Sequence, residues 1–180
     1  YITIPASREI TLTDAFTIAV RALRATDRGA FEHLVAKSDR EAADVWLEIT
    51  HDGRIGGGFR RPAEGAPPVH LDKVESTPVL TLTKWHRIVL TYDGHTAATY
   101  RDGRLVRRVK VAGPVADGGR PFVLGRLGRH GWDYGFEGLM DDVMIWNRAL
   151  SEVEVLGLNA FLESRGPVDA YRGTAIENDR

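Results

Sequence analysis

Short runs along the chain alternate apolar and polar residues, and turn residues separate the runs. In the segment FTIAVRAL, which begins at Phe16, apolar residues occupy every second position. The pattern recurs from Val45 to Ile49, where Trp46 falls on the side opposite Val45, Leu47 and Ile49. A period of two is that of a β-strand, whose side chains point alternately to its two faces. We therefore predict strands here, and we expect Trp46 to face the other side of its sheet.

The clearest pattern is KWHRIVLTYDGHTAATYRDGRLVRRVKV. It contains three alternating runs, near 85–92, 96–101 and 104–111, which are separated by Asp93-Gly94 and Asp102-Gly103. Asp-Gly pairs suit tight turns because both residues tolerate positive φ. The segment is therefore predicted to be a three-stranded antiparallel meander.

No helical pattern separates these strands, so the sequence predicts an all-β fold, a two-sheet antiparallel β-sandwich. One helix signal stands near the C-terminus, where Ser151 followed by Glu154 forms a capping-box pattern. The segment RRPAEGAPPVH, which begins at Arg60, is predicted to be a surface loop, of a length that often lines binding sites. We predict one domain over 1–166 and a polar tail or linker over 167–180.

Charge and composition narrow the classes of partner. The chain carries 24 basic and 25 acidic side chains, so no overall field attracts nucleic acid or an anionic membrane. No apolar run approaches the roughly 20 residues of a membrane helix. The absence of cysteine excludes disulfides, thiolate metal sites and cysteine nucleophiles.

Three motifs occur in an order that resembles a known family. They are W-H-x-x-x-x-T-Y-D-G from Trp85, Y-x-D-G from Tyr100, and G-x-x-D-D-V-x-I-W-N-R-A-L-S from Gly138. This order is similar to that of the laminin-G-like modules of the concanavalin A-like lectin/glucanase superfamily. The resemblance implies a jelly roll with one concave sheet, in proteins that are mostly extracellular and often bind glycans.

The last motif contains the adjacent acids Asp141 and Asp142. Neighbouring residues of a strand point to opposite faces, so the pair is not expected to act on one bond as a glycosidase dyad. The resemblance implies a structural calcium ion held by Asp141 and by backbone oxygens near Arg28, Gly29 and the chain start. The alternative is that Asp141 accepts backbone N–H groups or pairs with an arginine without metal. Asp142 is expected to face solvent or form an ion pair.

Catalytic patterns are missing from the sequence. The glucanases of this superfamily carry E-x-D-x-x-E or E-x-D-x-E, and neither occurs in this chain. The six histidines show no close ligand spacing, and no G-x-S-x-G elbow is present. We therefore expect a non-catalytic protein, although two carboxyl groups from different strands could still meet.

The loop RLGRHGWDYGFEG supplies the predicted ligand contacts. It brings together Arg129, His130, Trp132, Asp133 and Tyr134, and Trp132 is the strongest candidate because sugar rings stack on aromatic side chains. The concave sheet is the second candidate surface.

The sequence thus predicts a carbohydrate-binding module of a secreted bacterial protein, extracellular or periplasmic, and one module of a larger chain. We expect neither nucleic acid nor membrane insertion. The alternatives are a glycoside hydrolase or polysaccharide lyase of the same fold, and an adhesion or spacer domain that binds protein.

Overall fold

The computed structural model describes residues 1–63, 66–71, 80–127 and 134–164. The predicted tail, 167–180, lies outside them. The strands are β1 (Ile2–Ile4), β2 (Phe16–Arg24), β3 (Glu32–Ser38), β4 (Ala43–Ile49), β5 (Ile55–Phe59), β6 (Val69–His70), β7 (Trp85–Tyr92), β8 (Thr96–Arg101), β9 (Arg104–Lys110), β10 (Phe122–Leu124) and β11 (Gly138–Trp146). A 3₁₀ turn spans Arg8–Ile10, and one α-helix, α1, spans Glu152–Ser164.

The strands form two antiparallel sheets, which confirms the predicted sandwich. The six-stranded sheet has the order β1-β10-β3-β4-β5-β6, and the five-stranded sheet has the order β11-β2-β7-β8-β9. Apolar side chains from both sheets fill the space between them, where the rings of Phe16, Phe59 and Tyr92 meet with centroids 4.5–6.0 Å apart. Such ring contacts add to the stabilisation that burial itself provides.

The predicted meander is confirmed as β7, β8 and β9, joined in antiparallel register. At the second turn Asp102 and Gly103 both have positive φ, 51° and 76°, as a tight hairpin turn of this kind requires. At the first turn the Asp93 carboxylate accepts the N–H groups of His95 and Thr96 at 2.9 and 2.6 Å. Local sequence alone therefore determines both turns.

Helix α1 lies on the outer face of the five-stranded sheet. It begins where the sequence predicts, since the Ser151 backbone N–H donates to Glu154 Oε2 at 2.8 Å and the Glu154 N–H donates to Ser151 Oγ at 3.3 Å. Leu150 and Val155 are buried together with Val89 on the sheet. The helix thus packs on the five-stranded sheet, and no described helix lies on the six-stranded sheet. No described helix is long and apolar enough to cross a membrane.

Two details differ from the sequence-based expectation. The sequence predicts that Val69 and His70 belong to the proline-rich loop. In the structure they form the short strand β6, which pairs with Phe59 and Gly58, because two residues after the last proline suffice for a ladder. The final strand is also not regular at the acidic pair, because its register with β2 shifts between Asp141 and Met144.

Candidate functional site

A cavity of about 550 Å³ lies on the outer face of the six-stranded sheet. Ring-bearing side chains form most of its wall: Phe31, His33, Trp46, His70 and Tyr134. Its charged side chains are Glu41, Glu48 and Arg60, and Leu127 and Pro68 add apolar surface. An apolar wall with a few polar groups is the usual composition of a small-molecule site.

Strand β4 supplies the floor of the cavity. Trp46 and Glu48 are two residues apart, so they share the outer face, as the alternation from Val45 to Ile49 predicts. The cross-strand neighbours of Trp46 are Ala36 on β3 and Gly58 on β5, which are both small. A Cβ at Gly58 would lie 2.7 Å from Cζ2 of Trp46, so the glycine makes room for the indole. Gly58, the last of the three consecutive glycines of β5, thus has a packing role.

A β-bulge in β3 brings His33 to the cavity. His33 is paired with Glu48 and Val35 with Leu47, which leaves Leu34 as an extra residue between them. Leu34 and Val35 are both buried in the main core, so the alternation of faces changes phase at this point. Bulges commonly re-aim a side chain in this way next to functional sites. In a regular strand with Val35 directed to the core, His33 would also point to the core.

Glu48 organises the polar groups of the floor. Its Oε2 lies 3.0 Å from His33 Nε2, and its Oε1 accepts the indole N–H of Trp46 at 3.2 Å. The three side chains are 4–7% exposed, so the carboxylate is a buried charge held by two donors. The other ring nitrogen of His33, Nδ1, is buried and has no hydrogen-bond partner among the residues that the structure describes.

The side walls consist of stacked rings. The Tyr134 ring packs against His33 and Phe31, with centroids 5.4 and 6.3 Å apart. The Tyr134 carbonyl accepts the backbone N–H of His33 at 3.0 Å, which fixes this residue beside β3. On the opposite side, the exposed His70 ring meets Trp46 edge-on at 5.3 Å. The cavity is therefore walled by rings on both sides of a polar floor.

Within the described lining, the rim carries one exposed carboxylate and one exposed guanidinium. Glu41 lies in the turn between β3 and β4, where the Asp39 carboxylate accepts the N–H groups of Glu41 and Ala42, each at 2.9 Å. Burial raises the pKa of Asp39, but these two N–H donors and Arg120 outweigh it and lower the pKa, so the turn is held at neutral pH. Arg60, from the predicted loop, stands at the rim after β5. The predicted loop contributes Arg60, Pro68 and His70 to the lining of the cavity.

Of the ligand residues predicted from the sequence, the structure describes Tyr134. Tyr134 lines the cavity, whereas Arg129, His130, Trp132 and Asp133 lie outside the described residues. Leu127 and Tyr134, which flank that segment, both line the cavity.

The structure separates the predicted calcium ligands. Asp141 lies opposite Arg21 in the β11–β2 ladder, and Arg24 lies opposite Gly138, three residues or about 10 Å further along. Beyond that point Arg28 donates to the Gly135 carbonyl at 2.7 Å. Calcium binds oxygens at about 2.3–2.6 Å, and Asp141 lies at a different position along this ladder from the turn that contains Arg28 and Gly29. Calcium binding stays a prediction.

The acidic pair itself has partners within the protein. Asp141 Oδ1 accepts the backbone N–H of Asp142 at 2.8 Å, which is the metal-free arrangement that the sequence left open. Asp142 has φ 48° and its Oδ2 lies 3.1 Å from Nη2 of the buried Arg87, so the expected ion pair is present. Among the described residues, no three histidine or acidic side chains converge to hold a metal.

Sequence reasoning identified Trp46 as facing away from the core but did not select it, and it missed His33, Glu48, His70 and Glu41. For Glu48, the alternation with Trp46 was a usable signal. For His33 no signal existed, because the phase of β3 depends on its pairing with β4.

Comparisons with known proteins give a family and a set of similar folds. A sequence profile of the concanavalin A-like lectin/glucanases superfamily matches residues 1–156. No curated protein sequence matches the chain.

Three similar solved structures illustrate the fold. The CBM40 of the Ruminococcus gnavus IT-sialidase, bound to α2,3-sialyllactose, has a TM-score of 0.68 at 18% identity, over 82% of this chain and 83% of that one. Domain 4 of AbnA, a GH43 extracellular arabinanase from Geobacillus stearothermophilus in complex with arabinotriose, has a TM-score of 0.65 at 16% identity, over 87% and 71%. The binding domain of paraclostridial mosquitocidal protein 1 has a TM-score of 0.64 at 16% identity, over 89% and 40%.

Proposed function

The chain belongs to the concanavalin A-like lectin/glucanases superfamily, and from that premise we propose that it is a non-catalytic carbohydrate-binding module whose ligand lies in the cavity on the six-stranded sheet. The cavity itself carries the proposal, since ring-bearing walls surround a small set of fixed polar groups. Saccharides present apolar C–H faces and hydroxyl groups together, so they match this composition. One fold hosts many functions, and the argument therefore rests on the site.

The size of the cavity agrees with an oligosaccharide ligand. Small-molecule sites typically occupy about 300–1,000 Å³, and this cavity of about 550 Å³ falls in that range. The Trp46 indole is only 7% exposed and forms the floor, so the ligand would contact mainly His70 and Tyr134. The similar structures in complex with sialyllactose and arabinotriose support a saccharide as the first ligand class to test.

The state of the acids supports the proposed non-catalytic role. Glycoside hydrolysis requires two carboxyl groups, one of which donates or accepts a proton at the scissile bond. In the described lining of the cavity, Glu48 is buried and already bonded to His33 and Trp46, and Glu41 is the exposed carboxylate. We further propose that the protein is secreted, extracellular or periplasmic, and bacterial, and that the domain is one module of a larger chain.

The test is binding to a panel of soluble and insoluble glycans, by affinity gel and calorimetry. His70→Ala and Tyr134→Ala remove ring surface from opposite walls and should each weaken binding by about tenfold, in line with the loss of a ring contact. Arg104→Ala is the matched control, because Arg104 is exposed on β9 of the other sheet. Trp132→Ala separately tests the prediction from the sequence.

The outcomes separate the alternatives. Loss of binding in both cavity variants, with Arg104→Ala unchanged, supports the proposed site. Glycan binding that none of these cavity substitutions affects would place the ligand elsewhere. Enzyme-dependent release of reducing sugar from the panel would contradict the non-catalytic role. Absence of binding to every glycan would leave the protein-binding alternative.

A further inference from the structure

The described lining of the cavity contains more carboxylates than guanidinium groups. Among the residues that the structure describes, it has two carboxylates, Glu41 and Glu48, against one guanidinium, Arg60, together with His33 and His70. We propose that the cavity selects neutral, hydroxyl-rich saccharides and rejects saccharides that carry a carboxylate or sulfate. This inference rests on the proposed function and assigns it a ligand class.

The two ring nitrogens of His33 have different surroundings beside Glu48. An imidazolium has an N–H on both ring nitrogens, and each needs an acceptor when it is buried. Nε2 faces Glu48 at 3.0 Å, but Nδ1 is buried without an acceptor among residues 1–63, 66–71, 80–127 and 134–164. The tautomer with its proton on Nε2 donates to Glu48 and leaves no ring N–H unpaired among these residues. In that tautomer the ring brings no cationic group to offset the Glu48 carboxylate.

Because the Glu48 carboxylate is buried, its negative charge acts strongly on an anionic ligand. Glu48 is 4% exposed, so little water or salt screens it from the cavity above it. Arg60 is exposed at the rim, where solvent weakens its attraction for a ligand anion. A fixed like charge beneath the ligand is a repulsive element of the kind that creates specificity.

Glu41 provides the complementary attraction for hydroxyl groups. Its side chain is exposed at the rim and has no ion pair or hydrogen bond within the part of the chain that the structure describes, while its backbone is fixed by Asp39. An ionised carboxylate only accepts hydrogen bonds, and it does so with two oxygens. A pair of adjacent sugar hydroxyls donates to both, whereas a ligand carboxylate offers no proton.

The experiment compares matched neutral and acidic probes. 3′-Sialyllactose is paired with its methyl ester, and polygalacturonic acid with its methyl-esterified form, so that each pair has the same sugar skeleton and differs in the charge of its carboxyl groups. The wild-type protein should bind at least one neutral probe, and its acidic counterpart about tenfold more weakly or worse. Glu41→Gln and Glu48→Gln keep the shape of the side chain and remove the charge. Each should therefore bring the ratio of neutral-probe affinity to acidic-probe affinity closer to one. Asp14→Asn makes the same charge change at an exposed residue outside the cavity and should leave the ratio unchanged.

Failure of this inference differs from failure of the proposed function. An acidic probe that binds wild type as tightly as its neutral partner overturns the inference and leaves carbohydrate binding intact. A ratio that neither glutamine variant changes also overturns it, and Glu41→Gln decides the matter if Glu48→Gln does not fold. If no saccharide of the panel binds, both proposals fail together.

Discussion

Close packing in the floor of the cavity lets us predict how one added methyl group changes the stability of the protein. In Gly58→Ala, the new Cβ would overlap the Val69 carbonyl oxygen and lie 2.7 Å from Cζ2 of Trp46. Neither contact is tolerable, so β6 must move outward, the indole must move, or both. Both movements change the cavity, because Trp46 forms its floor and His70 of β6 forms one wall.

The loss in free energy of unfolding has two sources, the overpacking at the new Cβ and the displacement of the indole. Overpacking in a closely packed region costs about 1–3 kcal/mol. Displacing the indole weakens its 3.2 Å hydrogen bond to Glu48, which contributes about 1 kcal/mol. We therefore expect Gly58→Ala to lower the free energy of unfolding by about 2–4 kcal/mol. For a chain of this size that is a fall of about 5–15 °C in Tm.

Urea unfolding followed by far-UV circular dichroism measures this loss, and tryptophan fluorescence of the native state reports the displacement of the indole. The control is Gly157→Ala on the exposed side of α1, where an added Cβ meets nothing within 4 Å. Since alanine is the better helix former, that variant should gain about 0.5–1 kcal/mol. If Gly58→Ala remains within about 0.5 kcal/mol of wild type, close packing around Trp46 does not set the cavity floor.

Three further predictions concern other parts of the fold. Thr17→Val should cost about 1–3 kcal/mol in urea unfolding, because the buried Thr17 hydroxyl accepts the Leu150 N–H at 2.8 Å and nothing replaces it; a neutral result would mean that the segment before α1 rearranges. Burial raises the pKa of Asp102, but hydrogen bonds from His86 and the Arg87 N–H outweigh this and lower the pKa. The ionised Asp102 therefore stabilises the fold above its ordinary pKa of about 3.9, and this stabilisation is lost as pH falls below that value. The Tm of Asp102→Asn should consequently fall less steeply than that of wild type as pH is lowered. If the predicted calcium ion is bound, chelator should lower Tm and Asp141→Ala should abolish that difference, whereas an unchanged melt removes the metal hypothesis.

Elements defined by local sequence were predictable. The strands from Trp85 to Lys110 follow from alternation and two Asp-Gly turns, and the start of α1 follows from the reciprocal bonds of Ser151 and Glu154. In each case residues a few positions apart contain the whole signal.

The cavity was only partly predictable because distant segments build it. Its walls come from β3, β4, β6 and the residue pair Leu127 and Tyr134, and no local pattern indicates that these meet. The alternation gave the face of Trp46, but the partners that bury it belong to other strands. The acidic pair shows the same limit, since the register shift after Asp141 arises from pairing with β2.

The phase change at Leu34 has a consequence for tracing this site through related proteins. A relative without the bulge would keep a side chain in the place of His33 with one residue fewer in the strand. Matching the two sequences would then require a gap in the middle of a strand, where insertions are least expected. An ungapped match would instead pair His33 with a position that points into the core. Equivalent histidines are therefore to be sought by superposing backbones, and their apparent absence from a sequence comparison carries little weight.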